Sequence, residues 1–154
     1  MSNEDLIQII STAFPSLSFT NEGVADLTVE VPNEILKKVA GMLKEKDELY
    51  FDYLYCVTGI DYGKELGVLY KFESTKYRHN ITLKVMIGDR VNPQLESLAD
   101  IWPAAYLQEL EVYDLFGIRF NGSPDLYRIF LGEEWEGYPL RKDYIDNKNM
   151  IIRD

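Results

Sequence analysis

Three acids crowd one stretch, "LQELEVYDLF" (107–116): Glu109, Glu111 and Asp114. On a helix Glu111 and Asp114 share a face at i, i+3. Carboxylates so placed could move a proton in general acid–base catalysis. Mid-helix acids more often face water or pair with arginine, and Arg119 and Arg128 follow closely, so we expect at least one acid to meet one of those arginines. Other chemistries lack their groups. The chain has one cysteine, Cys56, and one histidine, His79. That is too few for a cysteine-ligated iron–sulfur cluster or a structural zinc site. The segment "GIDYGKE" (59–65) falls one residue short of a phosphate loop and reads as a β-turn. No G-x-G-x-x-G fingerprint is present. Flavin, metal and cluster are therefore not expected in this chain. Cys56 reads as a small strand residue of the core, and His79, in "KYRHN", as an exposed turn residue.

The whole chain must position these groups. Its 154 residues suit one domain, a size that buries roughly 68–70% of the unfolded surface. The net charge is −10, and the first sixty residues hold ten acids against four bases. No basic run exceeds the pairs Lys37-Lys38 and Arg141-Lys142, so the phosphate neutralisation that nucleic acid demands is missing. The opening "MSNEDLIQII" carries acids where an export signal or presequence needs basic residues. With one cysteine, this leads to the expectation of an intracellular, prokaryotic-type chain without a targeting peptide. The apolar runs fall far short of the ~20 residues of a membrane span.

Residues 4–13 place Leu6, Ile9 and Ile10 on one helix face behind a Ser2/Asp5 capping box. "SLSFT" and "VADLTVEVP" alternate as a hairpin around the turn Asn21-Glu22-Gly23. "NEILKKVAGMLKEKDEL" is a second amphipathic helix with Asn33 as N-cap. Strand-rich segments follow at 50–60, 66–74 and 80–88. After Pro103 a third helix can stop at Gly117 in the left-handed conformation, with Ile118 closing an apolar contact beyond it. The fold class is α+β: a two-layer sandwich, a mixed β-sheet with helices packed on one face. Residues 1–120 form a compact α+β domain, and 121–154 an extended partner-binding tail.

That tail contains "WEGYPLRKDY" (135–144), too apolar and aromatic for a segment left in water. Trp135, Tyr138, Pro139, Leu140, Arg141, Lys142, Asp143 and Tyr144 are its candidate partner-binding residues. Arg141 is the natural reader of a partner's carboxylate. Residues after about Trp135 are expected to be mobile in the isolated chain or held by a neighbouring molecule.

The order "ELEVYDLFGIRFNGSPDLYRIFL" (109–131) followed by "WEGYPLRKDY" resembles the thirty-kilodalton subunit of respiratory complex I, the C-type subunit of NADH:quinone oxidoreductase, and related subunits of membrane-bound hydrogenases. The matching block covers about a quarter of the chain. Leu110 and Tyr127 stand where the family usually has Arg, Ser123 where it has His, and Tyr106 where it has Trp. The resemblance implies a cofactor-free scaffold subunit in the cytoplasmic arm of a proton-translocating respiratory-chain complex. NADH, FMN, iron–sulfur clusters and quinone would belong to other subunits. It implies docking on the D-type (forty-nine-kilodalton) partner beside iron–sulfur subunits. Membrane association would be indirect, through the complex on the cytoplasmic side of the cell membrane. In this reading Glu109, Glu111, Asp114, Gly117, Pro124, Asp125 and Arg128 are structural. The runner-up is the equivalent subunit of an energy-converting hydrogenase. An independent enzyme using Glu109, Glu111 and Asp114 is the alternative of another class.

Overall fold

The computed structural model describes residues 1–21, 26–146 and 148. Helix α1 (Asn3–Ala13) begins at the capping box read from the sequence. The Ser2 hydroxyl accepts from the Asp5 amide and the Asp5 carboxylate from the Ser2 amide. Strands β1 (Ser18–Thr20) and β2 (Leu27–Glu30) pair antiparallel. Glu22 and Gly23 of the turn between them lie outside the described residues.

Helix α2 (Leu36–Glu45) starts after a single 3-10 turn at Asn33–Ile35. Asn33 is not its cap. The Asn33 side chain instead accepts from the Glu96 amide at 3.0 Å, tying the turn to a distant part of the chain. Strands β3 (Tyr53–Asp61), β4 (Leu66–Glu73) and β5 (Asn80–Ile87) follow, then β6 (Gln94–Glu96), helix α3 (Ala105–Phe116) and β7 (Arg119–Asn121).

The main sheet runs β1-β2-β5-β4-β3, with β2 and β5 parallel and every other pair antiparallel, so it is mixed. Alternation sorts its faces. Leu66, Val68, Tyr70 and Phe72 of β4 and Ile81, Leu83, Val85 and Ile87 of β5 are buried in one core with apolar residues of all three helices. Each such side chain contributes roughly 1.5–3 kcal/mol by leaving water. β6 and β7 form a separate parallel pair. At three residues each, they are too short to show a period, which is why the sequence pattern misses them.

Two further residues differ from the sequence reading. Cys56 is half-buried, not a core residue; it sits just past a register shift in edge strand β3. His79 is buried, not exposed, with Nε2 2.8 Å from the Leu49 carbonyl and its ring against Phe51 and Tyr77. The β4–β5 hairpin folds back on itself here, with Arg78 held at φ 55°, and that reversal carries the imidazole inward.

α3 ends at Gly117, which has φ 73° and whose amide donates to the Tyr113 carbonyl. A Cβ there would lie 2.4 Å from the Tyr138 ring. Gly117→Ala should therefore cost about 2 kcal/mol or more, combining left-handed strain with displacement of the ring. Urea unfolding of Gly117→Ala, Tyr138→Ala and the double variant is the check. The double variant should lose clearly less than the sum of the singles, whereas strict additivity would mean that ring and glycine are uncoupled.

Candidate functional site

The last turn of α3 leaves four carbonyls without helical partners. All four are met, three of them by the chain beyond residue 121. The Tyr113 carbonyl accepts from the Gly117 amide at 2.8 Å, and the Asp114 carbonyl from Arg128 Nη1 at 3.2 Å. The Leu115 carbonyl accepts from the Leu140 amide at 3.2 Å, and the Phe116 carbonyl from Arg141 Nε at 2.6 Å. The C-terminal segment is thus the cap of this helix. Arg141, expected to read a partner's carboxylate, donates through Nη1 to the Arg90 carbonyl of its own chain as well.

The Asp114 side chain is fully buried. Its Oδ2 accepts three consecutive amides, Ile129 at 3.1 Å, Phe130 at 2.7 Å and Leu131 at 3.1 Å. Its Oδ1 lies 3.3 Å from Arg128 Nη1. Arg128 also donates to the Gly137 carbonyl. Tyr138 covers both arginines, its ring centre 4.9 Å from the Arg128 guanidinium and 5.0 Å from that of Arg141.

Glu109 is equally buried but is not paired with an arginine. Its carboxyl accepts from the Ser97 hydroxyl at 2.6 Å and the Leu98 amide at 2.9 Å. Burial pushes its pKa up to about 7, against the lowering effect of those hydrogen bonds and of the Tyr70 hydroxyl. Glu111 is exposed. The three acids of α3 therefore do not gather into one constellation. Asp114 meets Arg128; Glu109 and Glu111 meet neither Arg119 nor Arg128.

A second cluster, not legible in the sequence, fastens the segment further along. Asp61, at the end of β3, takes a bidentate pair from Arg90 at 2.7 and 2.9 Å. It also accepts the Gly63 and Lys142 amides. Arg90 holds the Asp61 carboxyl well below the usual carboxylate range, the two amides assisting against the opposing effect of burial. Asp61 raises the Arg90 pKa in turn, and Asp143, 3.1 Å from Arg90 Nη2, adds to this. The sequence shows only an aspartate before a Gly-containing turn; the arginine that meets it follows β5, far along the chain.

The remaining candidates divide by exposure. Trp135, Pro139 and Tyr144 are half-buried, and Tyr144 lies over Gly137 (φ 83°). Leu140 and Lys142 face solvent, as do Pro124 and Asp125 in the turn after Gly122. Phe130, which the sequence does not single out, is 65% exposed. Among the described residues no group of three His, Cys, Asp or Glu could hold a metal ion. No helix among them is long and apolar enough to cross a membrane.

Residues 29–149 match the family model described as "Respiratory-chain NADH dehydrogenase, 30 Kd subunit". The chain belongs to this family. It is 40% identical over 147 residues to the NADH-quinone oxidoreductase C subunit of Roseiflexus castenholzii, covering 93% of this chain and 84% of that protein. It is 46% identical over 124 residues to the NADH-quinone oxidoreductase C/D subunit of Phocaeicola vulgatus, covering 80% of this chain but only 24% of that longer protein. The match to the C subunit of Chloroherpeton thalassium spans 45% of that protein's length. Among solved structures, the trypsin-resistant fragment (1–134) of Nqo5 superposes with TM-score 0.71 at 27% identity, over 82% of this chain and all of that one. A membrane-bound sulfane sulfur reductase shares the fold, with TM-score 0.79 at 24% identity over 92% of this chain and 85% of that one. The sequence block that carries the family resemblance is the same stretch that builds the α3 cap.

Two outcomes follow for the acids. Asp114→Asn should cost about 3 kcal/mol, since it strips the charge from a buried pair and turns an amide N–H toward other donors; chemical unfolding measures this. Glu109 binds a proton more tightly when folded than unfolded, so wild-type stability should fall as pH rises from about 4.5 to about 7, by on the order of 3 kcal/mol, then level off. Glu109→Gln should flatten that decline. A wild type whose stability is constant across the window would contradict the assignment.

Proposed function

We propose that this chain is the cofactor-free C subunit of a complex I-type NADH:quinone oxidoreductase, a scaffold that docks on the D-type subunit. In this reading it sits in the peripheral arm on the cytoplasmic side of the membrane, beside iron–sulfur subunits, and supports electron transfer to quinone without reacting itself. NADH, FMN, clusters and quinone are held elsewhere in the complex. The observation that carries the reading is the likeness to proteins named as C/D subunits, in which a segment 46% identical to this chain shares one polypeptide with a D portion. Covalent tethering holds two modules at high effective concentration when the linker can span their sites, which favours their contact.

The geometry supports a scaffold over an independent enzyme. Two of the three α3 carboxylates are consumed by internal hydrogen bonds, and the third is exposed on the helix surface. The fold shared with the sulfane sulfur reductase at 24% identity gives no preference for a hydrogenase-type complex. The segment 135–144 is the proposed docking strip, with Trp135, Leu140 and Lys142 as its partner-facing members.

Co-expression with the D-type subunit of the same genome is the test. The two should co-elute in equal amounts, and the isolated chain should be colourless and free of stoichiometric iron. A folded D-type subunit that elutes without this chain would overturn the proposal.

A further inference from the structure

The face of the main sheet turned away from the core holds a cleft of about 250 Å³ over β2, β5 and β4. Register sets its floor. Thr28, Thr82 and Lys71 stand opposite one another across the three strands, and Glu30, Lys84 and Leu69 form the next row. All six alternate with core residues and so point to this outer face. Tyrosines close its two ends. Tyr62, just past β3, lies over Gly67, where a Cβ would come within 2.9 Å of its ring, and the ring centre is 5.1 Å from Lys84 Nζ. At the other end Tyr55, the residue skipped by the register shift of β3, donates its hydroxyl to the Asp26 carboxylate at 3.3 Å. β4 and β5 lie between the two in the sheet order, so this contact reaches across the cleft. Bulges often re-aim a side chain in this way beside a functional site.

The cleft holds donors without acceptors. Thr82 is only 4% exposed, yet among the described residues its hydroxyl has no hydrogen-bond partner. A buried hydroxyl left unpaired costs stability, which a bound acceptor would restore. Lys71, half-buried beside it, has no ion pair among the described residues. The nearest acid on its side of β4, Glu73, is held by Arg78 at 2.7 Å. Lys84 lies 3.4 Å from the exposed Glu30, and Asp26 is engaged by Tyr55. These two acids on the β2 side restrict an occupant to low charge. Leu69 and the Tyr62 ring supply apolar surface next to the donors. Convergent donors in a partly apolar recess fit an acceptor-only head group on a small apolar body. We infer that this cleft binds a small organic oxyanion, a carboxylate or a phosphate monoester, whose head meets Lys71, Lys84 and the Thr82 hydroxyl while its apolar part rests on Leu69 and Tyr62. The inference stands on the sheet alone and is independent of the C-subunit reading.

The experiment titrates the isotope-labelled full chain with benzoate, phenyl phosphate, inorganic phosphate and neutral benzamide at constant ionic strength, followed by two-dimensional amide NMR. Benzoate or phenyl phosphate should shift the amides of residues 69–71 and 82–84 saturably in the millimolar range, and benzamide should not. The tighter of the two organic anions identifies the head group. Lys71→Met and Thr82→Val, both close in size to the native residues, should each weaken binding about fivefold or more. Lys38→Met on α2 is the control and should bind like wild type. Thr82→Val should melt no lower than wild type, because its hydroxyl has no partner to lose. Benzamide that binds as well as benzoate overturns the assignment of an anion, and inorganic phosphate that matches phenyl phosphate overturns that of an organic ligand. Shifts that never saturate below about 50 mM, or that Lys71→Met and Thr82→Val leave intact, overturn the site itself. Each of these results leaves the C-subunit reading standing.

Discussion

The hydrogen-bond demand of one helix end organises everything after Gly117. A helix C-terminus carries unpaired carbonyls and a partial negative charge, and α3 adds to this by placing Asp114, an acid, in its last turn with no basic residue there. A buried negative group at the negative pole of a helix is untenable alone. The chain resolves this with donors from outside the helix: three successive amides, two guanidinium groups and one further amide. Each donor fixes a point of the C-terminal segment. The path of residues 128–142 is a consequence of satisfying Asp114 and the carbonyls behind it, with the Asp61–Arg90 pair as a second fixed point.

Two buried acids on one helix show how strongly the surroundings decide. Asp114 is matched by a cation and by amides that can only donate. Glu109, five residues earlier, faces a hydroxyl, one amide and a tyrosine instead of a guanidinium, and its proton is held to about neutrality. A neutral carboxyl can serve where it packs against Tyr70 and the 97–98 turn, because it both donates and accepts.

Much of the body was legible in the sequence because its signals are local. The Ser2 capping box, the alternation of Leu66 to Phe72 and the left-handed Gly117 depend on near neighbours or a simple period, and each is where the pattern placed it. What escaped depends on residues far apart in the chain. Asn33 reads as a helix cap by type, yet the Glu96 amide, 63 positions away, takes its side chain. His79 reads as exposed because its hairpin is polar, yet the Leu49 carbonyl waits behind it. Arg141 is the sharpest case. A basic residue among aromatics looks like an outward-facing anchor, and only the folded chain reveals that α3 has a carbonyl to be capped at that point.

The same reasoning separates residues that build a surface from residues that form it. Tyr138, Arg128 and Arg141 are aromatic or planar cationic groups of the kind enriched at binding hot spots, but here both guanidinium groups lie against the Tyr138 ring and bond to carbonyls of their own chain. In the cap a displaced donor would leave a carbonyl or a carboxylate unpaired. The exposed positions carry no such demand. Phe130 contributes only its amide to the cap, so its side chain is unconstrained by the fold and open to be set by whatever it touches.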